Sequence, residues 1–467
     1  MELTQASKAR KPAHDKTGPN TTRGERLGSN KPGLAARVVA ARILAAVIEK
    51  KTSLDGMFDQ EHGNPAYRQL SDNDRALTRA IVQSALRQFR RIDAIFTSYL
   101  KNPLPEGARA LQHILTVGAA QILFLDIPDH SAVDLAVEHA QSDPRTRRFA
   151  NLVNALLRRL AREKDTILEQ VGAISPLPEW FEKRLSAVYG KEAAQRIAEA
   201  SIAMPAIDIS VKSDPEGWAN ELGGVVLPTG SVRLPAQAGG LTDLPGFAEG
   251  EWWVQDAASA IPAKLFGNLS GMKVVDLCAA PGGKTAQLIM AGADVTALDQ
   301  SASRIRRLKT NLARLGLDAQ IREMNMADFK PSELFDAALL DAPCSSTGTI
   351  RRHPDIAWTK GPDDIAKLAV VQEKLLDHAL NLVRPGGIVV FSNCSLDPLE
   401  GEELVERLLA YRKDVIRVPV KAEDWPGLEA AITAGGEVRT TPAMLAAKER
   451  FPSGMVGFFA VVLQRKS

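Results

Sequence analysis

Cysteine is scarce in this chain, with three in 467 residues. So small and odd a number cannot build a disulfide framework. It fits a protein kept in a reducing cytosol, so a cytoplasmic location is expected. Long hydrophobic runs are also missing. No apolar stretch approaches the roughly 20 residues of a bilayer span, and no membrane partner is expected. The N-terminus lacks the apolar core of a secretory signal. Charge of one sign is absent: 58 Lys and Arg against 56 Asp and Glu leave a net +2. Any anionic partner must therefore be met by local patches. No Cys-x-x-Cys occurs and no histidine stands at ligand spacing from the cysteines, which counts against zinc.

What is present is ordinary globular material, 45% hydrophobic and 24% charged. That suffices for real cores, and the length fits about two to four domains. Residues 1–34 are polar and basic (Lys8, Arg10, Lys11, Lys16, Arg23, Arg26, Lys31), so a disordered tail is expected. Residues 35–165 carry helical periodicity, starting with the stripe Val38, Val39, Ile43, Leu44, Val47 and Ile48. Ser71 before Asp72-Asn73-Asp74 is a helix-start signal, and a bundle of five to seven helices is expected. Residues 176–260 read as a small α+β unit. It has a helix from Pro178 to Ala203, a strand over Ala206–Val211, a short helix near Pro215–Leu222, and strands running to Trp252-Trp253-Val254. Those two tryptophans suit a core or a domain interface. Residues 261–467 alternate strand and helix, with strands expected at 273–277, 294–298, 319–323, 336–340, 387–392 and 457–464. Helices are expected over Thr285–Ala291, Ser301–Leu315, Asp363–Val383 and Glu400–Arg412. The pattern predicts a Rossmann-like α/β fold with a mainly parallel sheet, doubly wound by its helices.

Two cysteines sit in near-matching settings, Asp341-Ala342-Pro343-Cys344-Ser345-Ser346 and Ser392-Asn393-Cys394-Ser395. Each follows a buried-strand run, where ligands bind in open α/β sheets. Two thiols at one sheet edge suit a nucleophile with a helper, a redox pair or metal ligands. A Gly turn, Asp276-Leu277-Cys278-Ala279-Ala280-Pro281-Gly282-Gly283-Lys284-Thr285, follows the first of these strands. It is neither the dinucleotide pattern nor a Walker A loop, so pyrophosphate cradling is not indicated. Asp299 ends the second strand, about 20 residues on, where a carboxylate can accept both hydrogens of a ribose diol. Asp328 closes the next strand and can reach an adenine amino group. The ordered trio points to a nucleoside cofactor without pyrophosphate, and S-adenosylmethionine is expected.

Asp-Leu-Cys-Ala-Ala-Pro-Gly-Gly-Lys-Thr, Leu-Leu-Asp-Ala-Pro-Cys-Ser and Asn-Cys-Ser-Leu-x-Pro-x-Glu together resemble the RNA cytosine-5 methyltransferases, as does Arg351-Arg352-His353-Pro354-Asp355-Ile356. Asp74-Arg75-Ala76-Leu77 and Phe149-Ala150-Asn151-Leu152-Val153-Asn154 resemble the NusB-like helical domain. The two resemblances cover nearly everything after residue 35. They imply methylation of cytosine C5 in 16S ribosomal RNA by a monomer, with S-adenosylmethionine as cofactor.

The family pattern implies that Cys394 is the nucleophile and that Cys344 assists release. Asp341 would hold N3 and the exocyclic amine, with Lys284 orienting Asp341 or the cofactor carboxylate. Asp276, Cys278, Ala279, Ala280, Pro281, Gly282, Gly283, Lys284, Asp299, Arg304, Asp328 and Asp341 would line the cofactor site. The chemistry needs these parts. Cytosine C5 is a poor nucleophile until a thiolate adds to C6, which divides one hard step into easier ones. That thiol must be partly ionised.

Other readings stand beside these. Cys278 suits a small buried hydrophobe. Arg351, Arg352 and His353 lie beside the catalytic edge, where cations would meet phosphates. Arg145, Arg147, Arg148, Arg158, Arg159 and Arg162 could form a solvated helix face or an RNA contact. The chain departs from the family at Asn393, where Thr is usual, at Val456, where Asp is usual, and at Ser210-Val211-Lys212, where Arg-x-Asn is common. A tRNA methyltransferase, a ribose 2′-O-methyltransferase and a non-catalytic antitermination factor are the competing functions.

Overall fold

The computed structural model describes residues 31–59, 61–104, 108–236, 240–446 and 451–467. Most of the expected disordered tail, residues 1–30, lies outside the described residues. The apolar stripe coils as Leu34–Lys50. Six more long helices follow: Asp72–Arg87, Phe89–Tyr99, Arg109–Phe124, Asp129–Ser142, Ala150–Arg162 and Lys164–Gly172. Ser71 caps the first of these six, its hydroxyl accepting from the Asp74 amide. One core joins them through Ile43, Leu44, Ile81, Leu115 and Leu157, and it continues past residue 165 to Ile167 and Val171.

The single helix expected over Pro178–Ala203 is two, Glu179–Tyr189 and Lys191–Ile202. Gly190 divides them at φ 78°, ψ 159°, a backbone shape that residues with a Cβ rarely adopt. Both helices share a core with Ile350, Ala357 and Leu396, so they pack against loops of the large sheet.

A small antiparallel sheet comes next. Its strands are β1 (Ile207–Val211), β2 (Val225–Val226), β3 (Val232–Leu234) and β4 (Trp252–Val254), in the order β2-β3-β1-β4. Trp252 fills its core beside Ile209 and Val232, while Trp253 packs on Ala279 and Ala280 of the Gly turn. Inside it Arg233 binds Asp208 through two bonds of 2.7 and 3.0 Å, with both side chains almost fully buried. Arg233 also donates to the carbonyls of Pro452 and Gly454, which ties this sheet to the C-terminal segment.

The large sheet has eight strands among the described residues. They are β5 (Lys273–Leu277), β6 (Asp294–Asp299), β7 (Gln320–Glu323), β8 (Phe335–Asp341), β9 (Val383–Asn393), β10 (Val415–Val418), β11 (Val438–Thr440) and β12 (Phe458–Arg465). The order is β10-β12-β9-β8-β5-β6-β7, with β11 paired to β12. β7, β6, β5, β8 and β9 run parallel. β12, β10 and β11 are antiparallel. The sheet is therefore mainly parallel, as expected, with an antiparallel edge. β10 and β11 were not expected from the sequence, since runs of four and three residues are too short to show alternation. Helices Gly283–Met290, Ala302–Arg314, Pro362–Asn381 and Glu402–Tyr411 connect the strands. Strand order reverses between β5 and β8, the point where open α/β sheets bind ligands. No described helix is long and apolar enough to cross a membrane.

The Arg-Arg-His segment corrects an expectation. Arg351 is 2% exposed and donates to the carbonyls of Met204 and Ser453. Burial lowers its guanidinium to about 10. Arg352 is held by Asp256 at 3.0 Å, and His353 meets Asp55 of the helical bundle at 3.4 Å. These cations are consumed by contacts between the parts of the fold, so Arg351 is not offered to phosphate. The segment fastens bundle to sheet: Leu54 N donates to Asp355, Arg87 to the Arg351 carbonyl, and the Trp358 indole to the Leu86 carbonyl.

Two outcomes follow from these contacts. Arg233→Met leaves Asp208 buried without its partner. Urea unfolding should show a loss of about 3–5 kcal/mol, and a loss under about 1 kcal/mol would contradict the pairing. The His353–Asp55 pair is pH-dependent. Asp55 raises the His353 value, and His353 lowers that of Asp55. The histidine's contribution is complete below the ordinary imidazole value and is lost as pH rises through the raised one. The aspartate's is lost as pH falls through its lowered one. Both side chains are over a third exposed, so the pair is worth only about 0–1 kcal/mol. Thermal unfolding should favour the native chain over His353→Gln near about pH 6 and show no difference near about pH 9. A difference independent of pH would contradict the ion pair.

Candidate active site

β8 and β9 are adjacent and parallel, and their register pairs Asp341 with Ser392. The two cysteine loops therefore leave the sheet side by side. Cys344 stands three residues past one member of that pair and Cys394 two past the other, and their sulfurs lie 3.4 Å apart. Backbone bonds lace the loops together, from Ala342 N to Ser392 O (2.8 Å) and from Gly348 N to Cys394 O (2.9 Å). Gly348 also lets the Cys344 loop lie against Gly457, because a Cβ there would be 2.0 Å from the Gly457 carbonyl oxygen.

Behind the sulfurs is a buried polar network. Glu400 accepts from Ser345 N (2.9 Å), Ser345 Oγ (2.5 Å) and Gln372 Nε2 (2.7 Å). Asn393 donates to the Glu400 carbonyl at 2.6 Å and to Gln372 Oε1 at 3.2 Å. Its own side-chain oxygen accepts from Ser395 N. Asn393, the departure from the family's Thr, thus spans three partners. The Cys394 loop is clamped from outside as well. Arg184 grips Asp397 through two bonds of 2.7 Å, and Tyr189 donates to the Leu396 carbonyl. Arg439 binds Glu402 and the Ser395 carbonyl.

The thiols are not equivalent. Cys394 is pulled below the ordinary thiol value, first by the bond from Cys344 and also by Ser346 and Lys284, against burial and Asp341. Cys344 is pushed well above it by sharing its proton with Cys394, by burial, and by the Cys394 and Glu400 charges. The bond between the sulfurs is the largest cause in both, drawing Cys394 down and Cys344 up. Lys284 binds Asp341 at 2.8 Å, and Ser392 donates to the other Asp341 oxygen at 3.0 Å. The Lys284 ammonium also lies 5.0 Å from the Phe458 ring centre.

The Lys284–Asp341 pair joins the thiols to the Gly turn. Cys278 enters that turn at φ 67°, a left-handed shape costly for a residue with a Cβ. Burial, with help from Asp341, Asp299 and Asp276, pushes its thiol up to about 12, so it is inert. Asp276 accepts from Thr285 Oγ1 at 2.7 Å, and its other oxygen has no partner. Burial pushes that carboxyl up to about 7. Asp299 accepts from the Ala280 and Ser301 amides and pairs with Arg304 at 3.3 Å. Arg304 also donates to the Ala280 carbonyl, bracing the turn Ala279-Ala280-Pro281-Gly282-Gly283. Asp328, at the turn after β7, is exposed. Carboxylates on successive strand ends, one with a free buried oxygen, fit a nucleoside with a cationic tail and would repel a pyrophosphate.

The structure thus brings Cys394, Cys344, Asp341 and Lys284 into one cluster, with Asp276, Cys278, Asp299 and Arg304 beside it. Asp328 shares the sheet edge but stands apart from the thiols. The roles of Ser345, Gln372, Glu400, Arg184 and Arg439 were not expected. Glu400 lay inside a motif, but Arg184 and Gln372 carried no signal, since their partners are distant in sequence. The six arginines at the end of the bundle are all exposed. Arg145 pairs with Asp143 and Arg159 with Glu163, so part of that charge is locally balanced.

Comparisons with known proteins identify the family. Residues 268–460 match the family described as 16S rRNA methyltransferase RsmB/F, and residues 34–162 match the NusB family. Ribosomal RNA small subunit methyltransferase B of Salmonella paratyphi B is 32% identical over 409 residues, which is 84% of this chain and 94% of the relative. Its counterpart in Salmonella typhi matches to the same extent. The crystal structure of PH0851 covers 94% of this chain and 100% of its own at 23% identity and TM-score 0.68, which shows a shared fold. A methyltransferase homolog protein from Pyrococcus horikoshii is 27% identical with TM-score 0.51, covering 61% of this chain and 94% of its own. The chain therefore belongs to the family of ribosomal RNA small subunit methyltransferase B and is an rRNA methyltransferase.

Proposed function

We propose that this protein methylates C5 of a cytosine in 16S rRNA through a covalent adduct between Cys394 and C6, with S-adenosylmethionine as methyl donor. The observation that carries the reading is two thiols 3.4 Å apart beside a Lys284–Asp341 ion pair. The Cys394 thiolate adds to C6, and the C5=C6 electron pair makes C5 nucleophilic. The Gly turn, Asp299 and Asp328 would hold the cofactor, which would supply the sulfonium methyl that C5 takes. Asp341 accepts from the exocyclic amine, and from N3 once N3 is protonated. The Lys284 ammonium offsets the negative charge that develops on the ring, the kind of term that dominates many sites. A base then takes the C5 proton, and the C6–S bond breaks with its electrons returning to Cys394. Cys344 serves that release, as or through the base.

Metal or redox roles for the two thiols have less support. No other His, Cys, Asp or Glu side chain completes a ligand cluster around them among the described residues. The NusB match and the rRNA names of the relatives favour rRNA over tRNA as substrate. A cytoplasmic monomer suits that reading.

Single substitutions test the division of labour. With labelled S-adenosylmethionine and 16S rRNA, Cys394→Ala should abolish transfer. Cys344→Ala should slow turnover about 10²–10⁴-fold and leave protein linked to RNA on a denaturing gel. Linkage in Cys394→Ala and none in Cys344→Ala would reverse the assignment. Lys284→Met should lower kcat about 10²–10³-fold with the fold intact, and an unchanged kcat would remove Lys284 from the mechanism.

A further inference from the structure

The attack on C6 needs one thiol to ionise while its neighbour keeps its proton until the release step. Both sulfurs sit in one half-buried cleft, so something must break their symmetry. Charged groups approach from several elements. Lys284 and Asp341 form one pair, on the helix Gly283–Met290 and on β8. Arg439 on β11 is taken up by Glu402 and the Ser395 carbonyl. Asp397 is taken up by Arg184, and the Tyr189 hydroxyl by the Leu396 carbonyl. Glu400 remains, fully buried at 0% exposure and facing no cation of its own in the network.

Its placement is one-sided. Every donor to the Glu400 carboxylate is Gln372 or Ser345, and Ser345 directly follows Cys344. Towards the Cys394 loop Glu400 presents only its backbone carbonyl, which accepts from Asn393. Two N–H groups, from Ser345 and Gln372, donate to the side chain, and the Ser345 hydroxyl meets its other oxygen. A fixed negative charge in a water-poor site disfavours a second one nearby.

We propose that Glu400 is a positioning residue that keeps the Cys344 thiol protonated and leaves Cys394 as the thiol that ionises. This rests on the reading of Cys394 as nucleophile and Cys344 as release residue. The upward displacement of Cys344, to which the Glu400 charge contributes, runs in the same direction. In this account the buried network holds the loops in place and also decides which sulfur attacks.

The test uses the full-length protein. Iodoacetamide alkylation of Cys344 and Cys394 is followed by peptide mass spectrometry across a pH series, in the native chain, Glu400→Gln and Ser345→Ala. In the native chain Cys394 should react at lower pH than Cys344. Glu400→Gln keeps the shape and removes the charge, so it should shrink that preference by roughly tenfold, which is one pKa unit. Ser345→Ala keeps the charge and should retain most of the preference. An unchanged preference in folded Glu400→Gln overturns the proposal, as does an equal loss in Ser345→Ala, which would assign the effect to loop geometry. Should Glu400→Gln not fold, Glu400→Asp draws the charge back by one methylene. It should reduce the preference several-fold, and no reduction overturns the proposal. RNA carrying 5-fluorocytosine separates the two layers. Trapping at Cys344 in the native chain defeats the underlying mechanism. Trapping at Cys394, with selectivity unchanged in Glu400→Gln, defeats only the role of Glu400.

Discussion

Two sulfur atoms on separate loops have to meet at 3.4 Å and stay there. The meeting begins with the register of β8 against β9, which starts both loops from one level of the sheet. It is completed by Glu400, Ser345, Gln372 and Asn393, buried groups whose hydrogen bonds cross from one loop to the other. Such a network is specific when it is satisfied and costly when it is broken, since each orphaned buried group loses its solvation without return. The distance between the thiols thus depends on residues that never touch a substrate.

The same constraint reaches outward. The helices Glu179–Tyr189 and Lys191–Ile202 could be taken for a linker, yet Arg184 and Tyr189 hold the backbone and acid that follow Cys394. From Cys344 the chain runs on through Arg351, His353 and Trp358, and each of these three makes or receives a contact from the bundle. A helical bundle that holds rRNA would accordingly be coupled to the release thiol by about fifteen residues of continuous, anchored chain, a length that leaves little slack.

Much of this was legible in the sequence where local pattern and local chemistry coincide. The strands that carry Asp276, Asp299 and Asp341 are short apolar runs ending in polar residues and form where expected, whereas the one before Cys394 starts four residues earlier, at Val383. The Lys284–Asp341 pair follows from two motifs whose strands are neighbours. What stayed hidden depends on tertiary packing. Gly190 breaks a helix inside a sequence that is otherwise helical throughout. β10 and β11 exist because β12 offers an edge for them to pair with. Arg351 looked like a cation waiting for phosphate, and only the fold shows its guanidinium enclosed by backbone carbonyls. Asn393 looked like a mild departure, and its three partners become visible only once Glu400 and Gln372 are beside it.

The central claim is that Cys394 attacks C6 of one cytosine of 16S rRNA so that C5 can be methylated. Bisulfite sequencing of total RNA from cells lacking this protein, complemented with the native chain or with Cys394→Ala, tests it most directly. The account predicts that one 5-methylcytosine disappears from 16S rRNA, returns with the native chain and stays absent with Cys394→Ala. An unchanged rRNA alongside a changed tRNA, or full restoration by Cys394→Ala, would contradict it.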